Sequence, residues 1–177
     1  MSENGRSSRN GLAALATAAT LALGAAGTAV AGTADKDLGA DGLALGGYDP
    51  VAYFTEGEPT EGSAEFTATV DGATYRFANA DHLAAFEEDP EAYLPAYGGY
   101  CAYGLAMGQK VGSDPEVWEI VDGQLYLNVN QGVQERWEAN IPGFVATADH
   151  NWSVVADVPA ERLKEETPDG VRLGAAE

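Results

Sequence analysis

Few side chains in this 177-residue chain could ligate a soft metal ion or attack a substrate. There is one cysteine, Cys101, two histidines, His82 and His150, and one methionine beyond the initiator, Met107. A thiolate, an imidazole and a thioether together suit Cu(I). Cys101 and Met107 lie six residues apart across Gly104, so a shared site is open to them. Cys101 sits in an apolar and aromatic run with no cation before Lys110, so nothing in its neighbourhood lowers the thiol pKa. Burial as a small hydrophobe, ligation of a metal and a role as a redox or intermolecular thiol are all open to it. A Cys–His dyad with His82 or His150 would need hydrogen-bond reach and an orienting third group, and no spacing indicates one. Gly-x-Ser-x-Gly, His-Glu-x-x-His and phosphate-binding glycine loops are all absent from the sequence. No catalytic residue is assigned, and binding without turnover is the expectation.

Other residues offer less specific chemistry. Tyr48, Tyr97, Tyr100 and Tyr103 could line a pocket for a small apolar ligand, or pack the core instead. Carboxylates are so abundant that runs such as Glu87-Glu88-Asp89 read as solvated helix ends, and no loop converges oxygens as an EF-hand does.

The elements that must position these residues read as two similar units. Phe66–Val70, Asp71-Gly72 and Ala73–Phe77 form one apolar-alternating pair of runs around an Asp-Gly. Trp118–Val121, Asp122-Gly123 and Gln124–Leu127 form the other. Asp-Gly between two such runs signals a type I′ hairpin, whose central residues both need positive φ. Asn79 and Asn130 follow as helix N-caps, and Phe86 and Trp137 each stand seven residues further on. An offset of 51 residues aligns Tyr75 with Tyr126, Asn79 with Asn130 and Glu87 with Glu138. It also pairs His82 with Val133, which suggests an inward-facing position for His82. The expected class is α+β: two hairpin-plus-helix units, a possible internal repeat, packed as one small domain. Asp89-Pro90 should end the first helix. Domain limits are placed at 1–31 for an export leader, 32–46 for a linker and 47–155 for the fold. Residues 156–177 read as an acidic tail, a loosely packed helix or flexible chain.

Gly47-Tyr-Asp-Pro-Val-Ala-Tyr-Phe54, Tyr75-Arg-Phe77-Ala-Asn-Ala-Asp-His82, Phe86 and Asp89-Pro90-Glu91-Ala-Tyr93 resemble the YHS domain. The run Tyr97–Tyr103 and Ile141-Pro142-Gly143 resemble its longer, exported bacterial form, so the resemblance spans residues 46–153. Shorter YHS domains are metal-binding modules beside heavy-metal-transporting ATPases and some multicomponent hydroxylases. The family's three cysteine positions fall on Ala52, Ala78 and His82 here. The resemblance implies metal binding with His82 at a family ligand position, and the chain's own soft donors make a copper type the leading reading, with Cys101 and His82 as the best ligands, Met107 a third and His150 a possible addition. A second reading is a metal-free ligand- or protein-binding module on an inherited fold. A third is an accessory role to an oxidoreductase or hydroxylase. The implied partners are a transition metal ion or small ligand, and a metal-handling or oxidoreductase protein.

Charge narrows the partners further. The chain carries 9 Lys+Arg against 28 Asp+Glu, a net charge of -19, which argues against nucleic acid and anionic membranes. A single cysteine excludes an intrachain disulfide, a four-cysteine zinc site and a protein-only iron–sulfur centre. Arg6 and Arg9 precede an apolar run from Leu12 to about Ala26, and Ala29-Val30-Ala31 has the small-x-small form of a signal-peptidase site. An uncleaved anchor is disfavoured by the shortness of the run. Removing residues 1–31 takes away Glu3, Arg6 and Arg9 and leaves 7 basic against 27 acidic residues. Such a surface suits high salt, where self-repulsion is screened, and reads as a halophilic or marine adaptation of a periplasmic or secreted protein. When the full chain is expressed in an exporting bacterium, we expect N-terminal sequencing of the processed protein to begin at Gly32. Recovery of the unprocessed chain alone would remove the leader.

Overall fold

A computed structural model describes residues 34–165; the expected leader and the residues from 166 onward lie outside the described residues. The chain forms helix α1 (Ala52–Thr55), strands β1 (Ser63–Val70) and β2 (Ala73–Phe77), and helices α2 (Ala80–Glu88) and α3 (Ala102–Ala106). Strands β3 (Asp114–Val121) and β4 (Gln124–Asn128) follow, then helices α4 (Gln131–Glu138), α5 (Ile141–Val155) and α6 (Ala160–Glu165). Each antiparallel hairpin is its own two-stranded sheet and each is followed by a helix. The class is α+β, as the alternation and the Asp-Gly turns require.

The two halves repeat each other in detail. Asp71 and Gly72 have φ of 49° and 80°, and Asp122 and Gly123 have 51° and 83°. These left-handed pairs are what a type I′ turn needs. Both hairpins are irregular at the same place. Register passes from Ser63↔Phe77 to Thr67↔Arg76 in one, and from Asp114↔Asn128 to Trp118↔Leu127 in the other. In each, the first strand advances four residues while its partner advances one. Asn79 Oδ1 accepts the His82 amide and Asn130 Oδ1 accepts the Val133 amide, so both helices start on equivalent caps.

The correspondence continues upstream of the hairpins at an offset of 52. Leu45, Gly46 and Gly47 have φ of 53°, 59° and 90°; Tyr97, Gly98 and Gly99 have 55°, 63° and 89°. At Gly98 a Cβ would stand 2.6 Å from the Asp35 carbonyl oxygen, so only glycine lets the N-terminal segment pass. Parallel bridges pair Leu43 with Thr74 and Pro95 with Leu125, again in equivalent places.

Burial explains how the halves join. Strand β2 alternates, with Ala73, Tyr75 and Phe77 buried, so only one of its faces is covered. Strand β4 buries both faces. Leu125 and Leu127 enter a first core with Leu45, Val51, Tyr53, Tyr75, Phe77 and Phe86. Tyr126, on the opposite face, enters a second core with Tyr97, Leu105, Trp137, Ala148 and Val155. The second hairpin therefore lies between the two cores.

The described parts of the expected linker and tail both make contacts with the fold. Within the region expected as a linker, Ala44 and Leu45 are buried in the first core. Asp35 Oδ2 accepts from the Tyr100 hydroxyl (2.7 Å), the Ala160 amide (3.0 Å) and the Lys110 ammonium (3.3 Å). Lys110 is 3% exposed and also donates to the carbonyls of Ala156 and Val158, at 3.1 and 2.7 Å. The rings of Tyr100 and Trp152 lie 5.3 and 4.9 Å from its nitrogen. One buried ion pair thus fixes the start of the described chain and the turn after α5 at the same point. The described part of the expected tail accordingly enters the fold as α6, with Leu163 against the second core.

Burial raises the phenol pKa of Tyr53, Tyr97 and Tyr100, and that of Tyr75 to about 12. Hydrogen bonds to Asp149 and Asp35 raise Tyr97 and Tyr100 further. Unfolded tyrosines ionise from their ordinary value of 10, while the folded ones stay protonated. The folded state then binds more protons, so this stability is complete below pH 10 and is lost as pH rises above it. Lys110, lowered by burial, works in the opposite sense, but it is one group against four phenols. Denaturant titrations across the alkaline range should give a stability that falls steeply above pH 10, with cooperative appearance of phenolate absorbance. Phenolate forming gradually before unfolding would contradict this.

Candidate functional site

The left-handed turn at Leu45–Gly47 ends in an extended Tyr48 and delivers Asp49 into the first core region, where it is fully buried. Its Oδ1 accepts the Val51 amide at 2.8 Å at the start of α1. Its Oδ2 accepts the Ala78 amide at 2.8 Å and stands 2.6 Å from His82 Nδ1. A carboxylate on one imidazole nitrogen fixes the ring's tautomer and orientation. The other nitrogen, Nε2, faces the Thr55 hydroxyl at 3.4 Å and a Glu56 carboxylate oxygen at 3.7 Å, both on the exposed end of α1. The Thr55 hydroxyl also donates to the Val51 carbonyl, so it is held against its own helix.

The equivalent turn of the second half delivers Cys101. Its Sγ accepts the Gly104 amide (3.3 Å) as the N-cap of α3 and donates to Asn128 Oδ1 (3.4 Å). That oxygen also accepts the Tyr103 amide, and Asn128 Nδ2 donates to Gln134 Oε1 at 2.7 Å. Gln134 Nε2 then reaches Glu119 and Glu138. Cys101 is 1% exposed and its thiol pKa is raised, chiefly by burial, so the thiol form is favoured over the thiolate.

The expected metal ligands belong to separate networks. Cys101 bonds to Asn128 and Gly104, and His82 to Asp49 and Thr55, with no partner in common. Met107 caps the end of α3 and packs against the second core. His150 is exposed on α5. Among the described residues, no group of three or more His, Cys, Asp or Glu is arranged to hold a metal ion. Cys101 and His82 thus act in different hydrogen-bond networks, one in each half of the described fold.

The four candidate pocket tyrosines each contact something else. Tyr48 donates to Glu116, Tyr97 to Asp149, and Tyr100 to Asp35; the Tyr103 ring meets Phe144 edge-on. An open cleft of about 490 Å³ lies instead between the tip of the second hairpin and α5, bordered by Tyr126 and Asp149. Sequence reasoning missed Asp49, Asn128 and this cleft. The available signal was Gly-Gly-Tyr, which precedes both Asp49 and Cys101.

No protein-family model, curated protein or solved structure matches the chain.

Asp49 joins α1, the end of β2 and α2 through three acceptor contacts, so its replacement has a defined consequence. Asn at this position keeps the shape but turns an NH2 group toward a donor, leaving one buried amide without an acceptor. We expect Asp49→Asn to cost about 1–3 kcal/mol in denaturant unfolding and Asp49→Ala to cost more. A change below about 0.5 kcal/mol for Asp49→Asn would mean that the carboxylate does not hold these elements.

Proposed function

We propose that this protein is an exported binding module of the YHS type that works without turnover and without a resident metal. The resemblance of residues 46–153 to the long YHS form and the leader-like N-terminus support family and compartment. One observation supports the metal-free reading above all. The two best donors are engaged in structural hydrogen bonding: Cys101 caps α3 and bonds Asn128, while His82 is held by Asp49. A soft-metal site would have to break those bonds and deprotonate a thiol whose environment favours the neutral form. The fold then serves as a scaffold for open surfaces, of which the cleft beside α5 has the size of a small-molecule site.

Anaerobic titration of the reduced protein with Cu(I), Cu(II) and Zn(II) against a competing chelator tests this reading. We expect only weak association that Cys101→Ser and His82→Ala leave unchanged. A parallel survey of small organic fragments by amide NMR should find saturable binding to the same protein. Tight one-to-one Cu(I) binding lost in both variants would reinstate copper handling and overturn the proposal.

A further inference from the structure

The cleft between the tip of the second hairpin and α5 combines an apolar wall with two carboxylates on its border. Val121, Ile141 and Val145 form the wall, and Tyr126, 8% exposed, lies at its base. Asp122 stands at the hairpin turn and Asp149 two turns along α5, both exposed, and no Lys, Arg or His borders the space. Asp149 is held from below by the Tyr97 hydroxyl, which donates to its Oδ1 at 2.9 Å. Both carboxylates are felt at the Tyr126 phenol, whose pKa burial raises first and the charges of Asp149 and Asp122 raise further. The whole chain adds to the same field, with a net charge of -19.

The first half offers a comparison at the equivalent turn. At the equivalent turn of the first hairpin, Lys36 Nζ donates to the Asp71 carbonyl at 3.2 Å. An ammonium of the chain itself is therefore received at the first Asp-Gly turn. The second Asp-Gly turn, with the same positive-φ geometry, has no cation among the residues that border its cleft.

We propose that this cleft binds a small organic ligand with a primary ammonium group on an apolar body, the ammonium between Asp122 and Asp149 and the body against Val121, Ile141 and Val145. The proposal rests on the binding-module reading and names its ligand class. A volume of about 490 Å³ admits an arylalkyl amine and is too small for a folded partner. Desolvated on its apolar side, the ammonium would make charge-assisted hydrogen bonds to Asp122 and to Asp149, the latter already held by the Tyr97 hydroxyl.

Amide NMR titration of the intact protein with phenethylammonium and its neutral isostere 2-phenylethanol tests this. Phenethylammonium should shift resonances of residues 121–126 and 141–149 saturably and bind about tenfold more tightly than 2-phenylethanol. Asp149→Asn should remove most of that preference. Glu87→Gln, which changes the same charge on exposed α2, should leave it intact. Equal weakening by both variants would show diffuse attraction to an acidic surface and overturn the site. Equal binding of the neutral analogue in the cleft would overturn the ammonium while leaving the binding-module reading standing. No saturable shift in the cleft with either probe would overturn the cleft, and the fragment survey would then decide the wider reading separately.

Discussion

Three consecutive left-handed residues, used twice, are the constraint on which the rest of this structure depends. Leu45-Gly46-Gly47 and Tyr97-Gly98-Gly99 each reverse the chain before an extended tyrosine, and each places the next residue at the start of a short helix. A non-glycine residue in this region costs roughly 1–2 kcal/mol, and Leu45 and Tyr97 both bear it. The surrounding packing holds them there: Leu45 is 5% and Tyr97 6% exposed, one in each core. What the turn gains is direction. It carries Asp49 and Cys101 into the protein, where a single atom can satisfy amides from more than one element.

The two halves solve that capping problem with opposite placements of polarity. In the first, the capping residue is strongly polar, and Phe77, Leu83 and His82 surround the region. In the second, the capping residue is a thiol, a weak acceptor. Asn128 stands where the first half has Phe77, Gln134 where it has Leu83, and Val133 where it has His82. Polar character has moved from the turn to the strand and helix, where Asn128 shares the amides near Cys101. This exchange accounts for Cys101 and His82 lying in different networks. They occupy non-equivalent positions of a repeat, each completing a set of bonds whose other members changed with it.

Much of this was legible in the sequence, and the parts that were not share a physical cause. The Asp-Gly turns, the Asn79 and Asn130 caps and the Asp89-Pro90 stop act through neighbouring backbone, so local pattern suffices. Asp35 acts at Tyr100, Lys110 and Ala160, the last 125 residues away, and no local pattern reports that. Residues 32–46 consequently read as a linker, since small polar residues with few apolar neighbours describe flexible chain equally well. Asp49 was hidden differently. In a chain with 28 acidic residues one more carboxylate carries little information. Only the Gly-Gly-Tyr match, displaced by one residue from the offset that aligned the hairpins, would have set Asp49 beside Cys101. The extra residue in that offset falls outside the hairpin-plus-helix segment that carried the alignment.

The acidic surface and the buried lysine belong to one electrostatic arrangement. Repulsion among exposed carboxylates acts through solvent and fades as salt shortens the Debye length to about 8 Å at physiological strength and about 3 Å at 1 M. The contacts of Lys110 lie within the protein, with two backbone carbonyls, Asp35 and two aromatic rings around a 3% exposed side chain, and dissolved ions reach them far less. Added salt therefore weakens the force that pushes the chain apart more than the one that ties its described ends together. Burial lowers the Lys110 pKa, while Asp35 and the more distant Asp157 and Glu161 oppose that shift, so the surplus of acid helps keep this ammonium charged. The acidic neighbours offset part of the cost of burying this cation, which sits where the two described ends of the chain meet.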